Sequence, residues 1–200
     1  MPLPPQLAAQ LSNRMTVYIC METCVFDYAR ALQPFKTGDS WLTTKERDKL
    51  LYDHPEVLVT IKPMEGSIET ILKLIADKEL YDVYLVMENS WTVPAVFENK
   101  KAFIKKHLPH WDKRGADKLI FGYQKQLLHG HFLVEDFRCG NQAAFKGWYV
   151  PLFSTEMPTW DDVEYLLLNQ RPFLLRYFQR PMRLEDFKKK IRLIDPKVIY

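Results

Sequence analysis

Several side chains that could take part in catalysis or ligand binding follow directly on short apolar runs. They fall at Cys20–Cys24, Met87–Ser90, Lys125, Glu135 and Asp136. Thiols, carboxylates and ammonium groups are the residue types from which nucleophiles, acid–base pairs and metal sites are built. In open α/β sheets, ligands bind at the carboxyl ends of the strands. We therefore expect any chemistry of this chain to lie at these positions.

The elements that would position these residues alternate between strand-like and helix-like patterns. Continuous apolar runs are typical of strands buried on both faces. The predicted strands are Thr16–Cys20, Tyr81–Met87, Leu119–Phe121, Phe132–Val134 and Trp148–Leu152. The predicted helices are Phe26–Leu32, Thr43–Leu51, a helix opening at Gly66 and Ser67, Ala95–Leu108, Trp160–Leu168 and Leu184–Ile194, with Val57–Ile61 a strand or a connector. The pattern predicts an α/β domain of Rossmann-like type, with a central parallel sheet and helices on both faces.

The helix after Gly66 has the clearest pattern. Its apolar residues Ile68, Ile71, Leu72 and Ile75 recur at helical spacing. Ser67 is of a type that caps helix N-termini, so we expect its side chain to cap this helix.

The composition bears on where in the cell the chain is expected. Its 200 residues carry a net charge of only +3 and contain no apolar run near the roughly 18 residues of a membrane helix. Three cysteines, an odd count, favour a reducing, intracellular location over a disulfide framework. The first 21 residues lack acids and contain Arg14 as their one base, which resembles a mitochondrial presequence. Pro2, Pro4 and Pro5 oppose the helix that such a presequence would form at its start.

The last 30 residues differ from the rest. Residues 171–200 hold nine Lys/Arg and three Asp/Glu, a net +6, which leaves about −3 for the remainder. Apolar anchors with a basic rim suit docking to other protein subunits, although the segment could instead pack on its own domain. The candidate interaction residues are Arg171, Phe173, Tyr177, Phe178, Arg180, Lys188, Lys189 and Lys190.

Several stretches between residues 15 and 170 resemble one known family. They are CMETCVFDY, PMEGSIETILKLIADKELYDVYLVMENS and FIKKHLPHWDKRGADKLIFGYQKQLLHGHFLVED, followed by the segment from Phe153 to Trp160. In order and spacing they resemble the 5'(3')-deoxyribonucleotidases of the haloacid-dehalogenase (HAD-like) superfamily. The resemblance implies an N-terminal arm at 1–14, a HAD-like domain at 15–170 with a reduced helical cap at 27–63, and a C-terminal extension at 171–200.

The resemblance also implies where the catalytic residues should be. The first strand of the family ends in Asp-x-Asp, a nucleophile followed by a general acid/base, and the matching positions here are Cys20 and Glu22. A thiol cannot form an acyl phosphate and is a poor ligand for Mg²⁺. The hydroxyl that should follow the second strand is replaced by Met87 or Glu88, and a carboxylate there would repel phosphate. Asn89 or Ser90 could take its place only with a shift of register.

Three of the remaining family positions are kept. Lys125 matches the lysine that neutralises phosphate, and Glu135 and Asp136 match the acids that hold the metal. An upstream acid is replaced by His131. The three retained charges could alternatively form an ion-pair network that closes the crevice.

Other spacings point to weaker alternatives. Cys24 and Arg30 have the spacing of cysteine phosphatases, but the intervening residues lack the glycines of a phosphate-wrapping loop. His129 and His131 alternate near a strand and would need further ligands to hold a metal. In the cap, Phe35 and Trp41 could stack a base or pack locally.

Two further groups of basic residues are read as exposed. Lys100, Lys101, Lys105 and Lys106 fall at helical spacing and are interpreted as a solvated face, or as one that meets an acidic partner. His107 and His110 are expected to face solvent at the end of that helix.

These observations favour a catalytically inactive pseudoenzyme without a cofactor, acting as a structural or interaction subunit of a larger complex, with a mitochondrial complex as its expected setting. One alternative is a Mg²⁺-dependent 5'-nucleotidase or phosphatase with an atypical site, using Glu22, Lys125, Glu135 and Asp136. Another is a nucleotide or RNA binder.

Overall fold

The fold was established from a computed structural model. It describes residues 14–35, 44–88, 94–109, 111, 118–122, 124–136, 145, 147–155 and 157–169. The N-terminal arm to residue 13 and the C-terminal extension, including the predicted helix Leu184–Ile194, lie outside the described residues.

A five-stranded parallel sheet forms the centre of the domain. Its strands are β1 (Met15–Cys20), β2 (Tyr81–Met87), β3 (Leu119–Phe121), β4 (Phe132–Asp136) and β5 (Trp148–Leu152). All five predicted strands are confirmed. Their apolar residues are nearly continuous, as is usual for the strands of a parallel sheet. The α/β, Rossmann-like fold class is likewise confirmed.

The strand order is β3-β2-β1-β4-β5. The chain winds outward from β1 through β2 to β3, and then returns to β4 on the other side of β1. The order therefore reverses between β1 and β4, and the crevice at their carboxyl ends is where open α/β sheets bind ligands.

Helices connect and cover the strands. They are α1 (Met21–Cys24), α2 (Tyr28–Ala31), α3 (Thr44–Asp53), α4 (Val57–Thr60), α5 (Ser67–Ala76), α6 (Pro94–His107) and α7 (Trp160–Glu164). Short 3-10 helices lie at Gln33–Phe35 and Lys125–Leu127, and α7 continues as a π-helical turn, Tyr165–Asn169. In the region 27–63, where a reduced cap is expected, the described residues form α2, the 3-10 helix Gln33–Phe35, α3 and α4.

The core lies mainly on one side of the sheet. The larger apolar cluster joins β-strand residues such as Ile19 and Leu85 to Ile71 and Leu74 of α5. A smaller cluster on other strand positions contains Tyr18, with Tyr84 and Tyr149 packed against it. Among the described residues, no helix is both long and apolar enough to cross a membrane.

Two local expectations were wrong. Residues Val57–Ile61 were expected to be a strand or a connector, but Val57–Thr60 forms α4. Val57 and Leu58 are buried while Val59 is exposed, so burial does not alternate as it does in a half-buried strand. Ser67 does not cap α5: its hydroxyl donates to the Met64 carbonyl, and Gly66 with φ 73° precedes the helix.

Candidate active site

The crevice between β1 and β4 brings together residues from the carboxyl ends of four strands, β1 to β4. Lys125, in the 3-10 helix after β3, reaches into it and is 2 % exposed. Its Nζ contacts Glu135 Oε1 at the end of β4 and lies 3.5 Å from Cys20 Sγ at the end of β1. The same ammonium lies 3.6 Å from Glu88 Oε1. The strand order thus gathers residues that are far apart in the sequence.

Glu88, which follows β2, is held by a second cation. Arg47 on α3 donates to Glu88 Oε2 at 3.0 Å, and the guanidinium also lies over the ring of Tyr28, 5.6 Å from its centroid. Arg47 is 9 % exposed. Nothing in its local sequence marks it as a site residue, because only the docking of α3 brings it to the crevice.

Glu22 on α1 is paired with Lys100 on α6. Lys100 Nζ donates to Glu22 Oε1 at 2.5 Å and also to the backbone carbonyl of Glu88. The two residues are 2 % and 3 % exposed. The expectation of a solvated lysine face was therefore wrong for Lys100, although the side chain of its neighbour Lys101 is 40 % exposed.

These side chains form one group, here called the charged cluster: Glu22, Glu88, Glu135, Arg47, Lys100 and Lys125. Its three carboxylates face three cations, so its formal charge is zero. Buried ions are tolerated only when they are paired and hydrogen-bonded. Two oxygens remain without a hydrogen-bond partner among the described residues, Glu22 Oε2 and Glu135 Oε2.

The two residues at the second family position have different surroundings. Met87 is fully buried in the larger apolar cluster, whereas the Glu88 carboxylate points to Arg47 and Lys125. Glu88 is therefore the residue that contributes its side chain to the crevice.

With their side chains paired to one another, the described residues of the crevice offer no complete ligand set for a magnesium ion. One oxygen of Glu135 is held by Lys125, and Asp136 is 2 % exposed, with its backbone carbonyl accepting from Tyr149. Within the part of the chain that the structure describes, no three His, Cys, Asp or Glu side chains lie close enough to share a metal. Mg²⁺ requires a near-octahedral set of oxygen ligands.

The alternative cysteine site is not formed. Cys24 is fully buried in the core, and its backbone carbonyl accepts a 2.8 Å hydrogen bond from Trp160 Nε1. Arg30 is exposed on α2, whose N-terminus is capped by Asp27. A phosphate-binding loop would need the thiol and the guanidinium to face one ligand.

The histidines named by the sequence have structural contacts. His131 Nδ1 accepts from the Thr16 N–H at 2.9 Å, and burial lowers the pKa of its imidazole. The backbone carbonyl of His129 accepts from the Tyr18 hydroxyl. His107 was expected to face solvent, but it packs against Phe103 with its Nε2 buried; burial, and secondarily Lys106, lower its pKa.

Of the two cap aromatics expected to stack a base or pack locally, the structure describes Phe35, which packs locally. The ring of Phe35 stacks on His54 with centroids 4.1 Å apart. Trp41, His110 and the candidate interaction residues of the C-terminal extension lie outside the described residues.

The chain is similar to a curated protein of Vibrio phage KVP40 named "Putative 5'(3')-deoxyribonucleotidase". The two are 26 % identical over 165 residues, which cover 81 % of this chain and 89 % of the phage protein. No family model matches the chain. The similarity and the parallel sheet are consistent with a HAD-like fold of deoxyribonucleotidase type.

Proposed function

We propose that this chain is a catalytically inactive, deoxyribonucleotidase-like domain that serves as a structural or interaction subunit of a larger assembly. One observation carries the proposal: the cations of the crevice are already paired with the chain's own carboxylates in the charged cluster. A phosphate would have to displace these carboxylates to reach Lys125 or Lys100.

The residue at the nucleophile position points the same way. Cys20 is 1 % exposed, and its thiol lies beside the ammonium that also contacts Glu135. An acyl phosphate can form only on a carboxylate. Loss of a nucleophile alone costs on the order of 10⁴ to 10⁶ in rate.

The two acids beside Lys125 would also oppose the binding of a phosphate. Glu88 and Glu135 both lie near Lys125, and their carboxylates would face a phosphate at short range. Like charges at about 4 Å repel by roughly 4 kcal/mol at an effective dielectric constant near 20. A phosphate at Lys125 would therefore also meet the carboxylates of Glu88 and Glu135.

The partner is proposed to be other protein subunits, contacted through the C-terminal extension. Support comes from its sequence alone, which combines Phe173, Tyr177 and Phe178 with the basic run Lys188 to Lys190. A mitochondrial complex is the proposed setting and rests on the composition of the first 21 residues.

The test is phosphate release from a panel of deoxynucleoside monophosphates with and without Mg²⁺. Wild type is compared with the double variant Cys20→Asp, Glu88→Thr. The exposed variant Lys101→Met serves as a surface control. We expect wild-type turnover at the level of the buffer blank. Mg²⁺-dependent turnover that is lost in Glu22→Gln but kept in Lys101→Met would refute the inactive assignment. Gain of turnover in the double variant would show that the missing groups alone silence the site.

The proposed assembly is tested separately, by native size analysis of the tagged full chain in extracts of its source. We expect it in a complex larger than the monomer, released when Lys188, Lys189 and Lys190 are changed to Glu. A wild-type chain that migrates as a monomer under all salt conditions would contradict the subunit role.

A Mg²⁺-dependent 5'-nucleotidase with an atypical site is the second candidate. The name of the phage relative and the unpartnered oxygens Glu22 Oε2 and Glu135 Oε2 favour it. The same turnover assay separates the two, because this candidate requires activity in the wild type.

A further inference from the structure

Lys100 is buried although it lies on a basic helix. In α6, the side chains of Lys101, Lys105 and Lys106 remain at least partly exposed, whereas Lys100 is 3 % exposed. Lysine is almost never fully buried unless it is paired. A specific set of acceptors must therefore hold its ammonium inside the domain.

Those acceptors come from the carboxyl ends of two strands. The Lys100 Nζ donates to Glu22 Oε1, just after β1, and to the backbone carbonyl of Glu88, just after β2. A carboxylate oxygen and a carbonyl oxygen are also the ligands that Mg²⁺ and Ca²⁺ prefer. The same oxygens can thus hold an ammonium or a metal ion, but not both.

We infer that the Lys100 ammonium is the resident cation of this crevice, tethered to α6, and that it takes the place of a divalent ion at Glu22. The chain therefore needs no metal to neutralise Glu22, and Mg²⁺ is excluded from these oxygens while Lys100 is present. Removing the ammonium opens a cation site made of Glu22 and the Glu88 carbonyl, with Glu22 Oε2 as a further acceptor.

This inference goes beyond the proposed function, since it concerns cation binding by the folded chain and not turnover. A chain with residual phosphatase activity could still have a tethered cation, and an inactive chain could still bind Mg²⁺. A binding measurement and the phosphate-release assay can therefore fail independently.

The test compares four proteins by thermal unfolding in EDTA, MgCl₂ or CaCl₂. They are wild type, Lys100→Met, the exposed neighbour Lys101→Met, and the double variant Glu22→Gln, Lys100→Met. We expect Lys100→Met to lose on the order of 10 °C in Tm, because it leaves a buried carboxylate uncompensated. At a cation concentration about tenfold above its Kd, this variant should regain roughly 3 °C or more.

Wild type and Lys101→Met should unfold at the same temperature in EDTA as in each cation. The double variant should not respond either, because it lacks the carboxylate that would bind the cation. A cation-dependent Tm gain in wild type equal to that of Lys100→Met would overturn the inference, as would a folded Lys100→Met that responds to no cation.

If Lys100→Met does not fold, titration calorimetry of wild type and Glu22→Gln with Mg²⁺ decides the matter. Absence of binding to wild type supports the tethered cation. Binding to wild type that is lost in Glu22→Gln refutes it.

Discussion

Replacing Lys125 with Met should destabilise the domain strongly, and replacing its partner as well should restore most of the loss. The side chains of Lys125 and Glu135 are 1 % and 0 % exposed, so neither gains solvation from water. Lys125→Met removes the one cation that the described residues place against Glu135. Breaking a buried pair in this way costs about 3–5 kcal/mol, a large part of a typical stability of about 5–15 kcal/mol.

The double variant Lys125→Met, Glu135→Leu removes both charges and should stay within about 2 kcal/mol of wild type, because neither ion is then left unpaired. Glu88, the other acid near Lys125, keeps its 3.0 Å contact with Arg47. The two single variants and the double variant form a cycle whose coupling energy should exceed about 3 kcal/mol.

Urea unfolding at 25 °C and pH 7.5 measures each free energy of unfolding by linear extrapolation. Lys101→Met is the matched control, since its pair with Glu98 is 40 % and 65 % exposed and is worth about 0.5 kcal/mol or less. Additive losses in the double variant would refute the reasoning, since they would mean that the two side chains do not stabilise each other.

Three further variants test individual contacts. Burial lowers the pKa of His131, so the folded state binds fewer protons than the unfolded state, and stability should fall as the pH drops below the unfolded-state pKa of about 6.5. In His131→Asn, whose side chain can still accept from Thr16, the urea midpoint should change less between pH 7.5 and pH 5.5 than it does in wild type. Trp160→Phe leaves the buried Cys24 carbonyl without its 2.8 Å donor and should cost about 1–3 kcal/mol in the same assay, whereas no change would mean that another donor replaces it. Gly66→Ala places a Cβ 3.1 Å from Trp160 Cβ at φ +73° and should lower stability by about 1–2 kcal/mol; an unchanged or raised Tm would contradict the strain.

The strands were readable in the sequence because their apolar runs are continuous. Tyr81–Met87 was predicted with its observed bounds, and Thr16–Cys20 was short by one residue. The run Val57–Ile61 was not decided by its sequence, since a short apolar run suits a strand or a buried helix turn equally. Packing made it a helix.

The crevice was predicted only in part. Strand ends pointed to Cys20, Lys125 and Glu135, and the structure brings these three together. Arg47 and Lys100 were missed, because each lies on a basic or polar helix whose sequence resembles an exposed surface. That the crevice residues no longer catalyse phosphate release stays a prediction.

The sequence by itself determined the α/β class, the strands and the absence of a carboxylate at Cys20, since these depend on residue type and periodicity along the chain. Only the tertiary structure decided which charges meet. Lys100 is 78 positions from Glu22 and Lys125 is 105 from Cys20. Ion pairs of this kind depend on the strand order and on helix docking, which place residues from distant segments within a few ångströms and exclude the water that would otherwise solvate them.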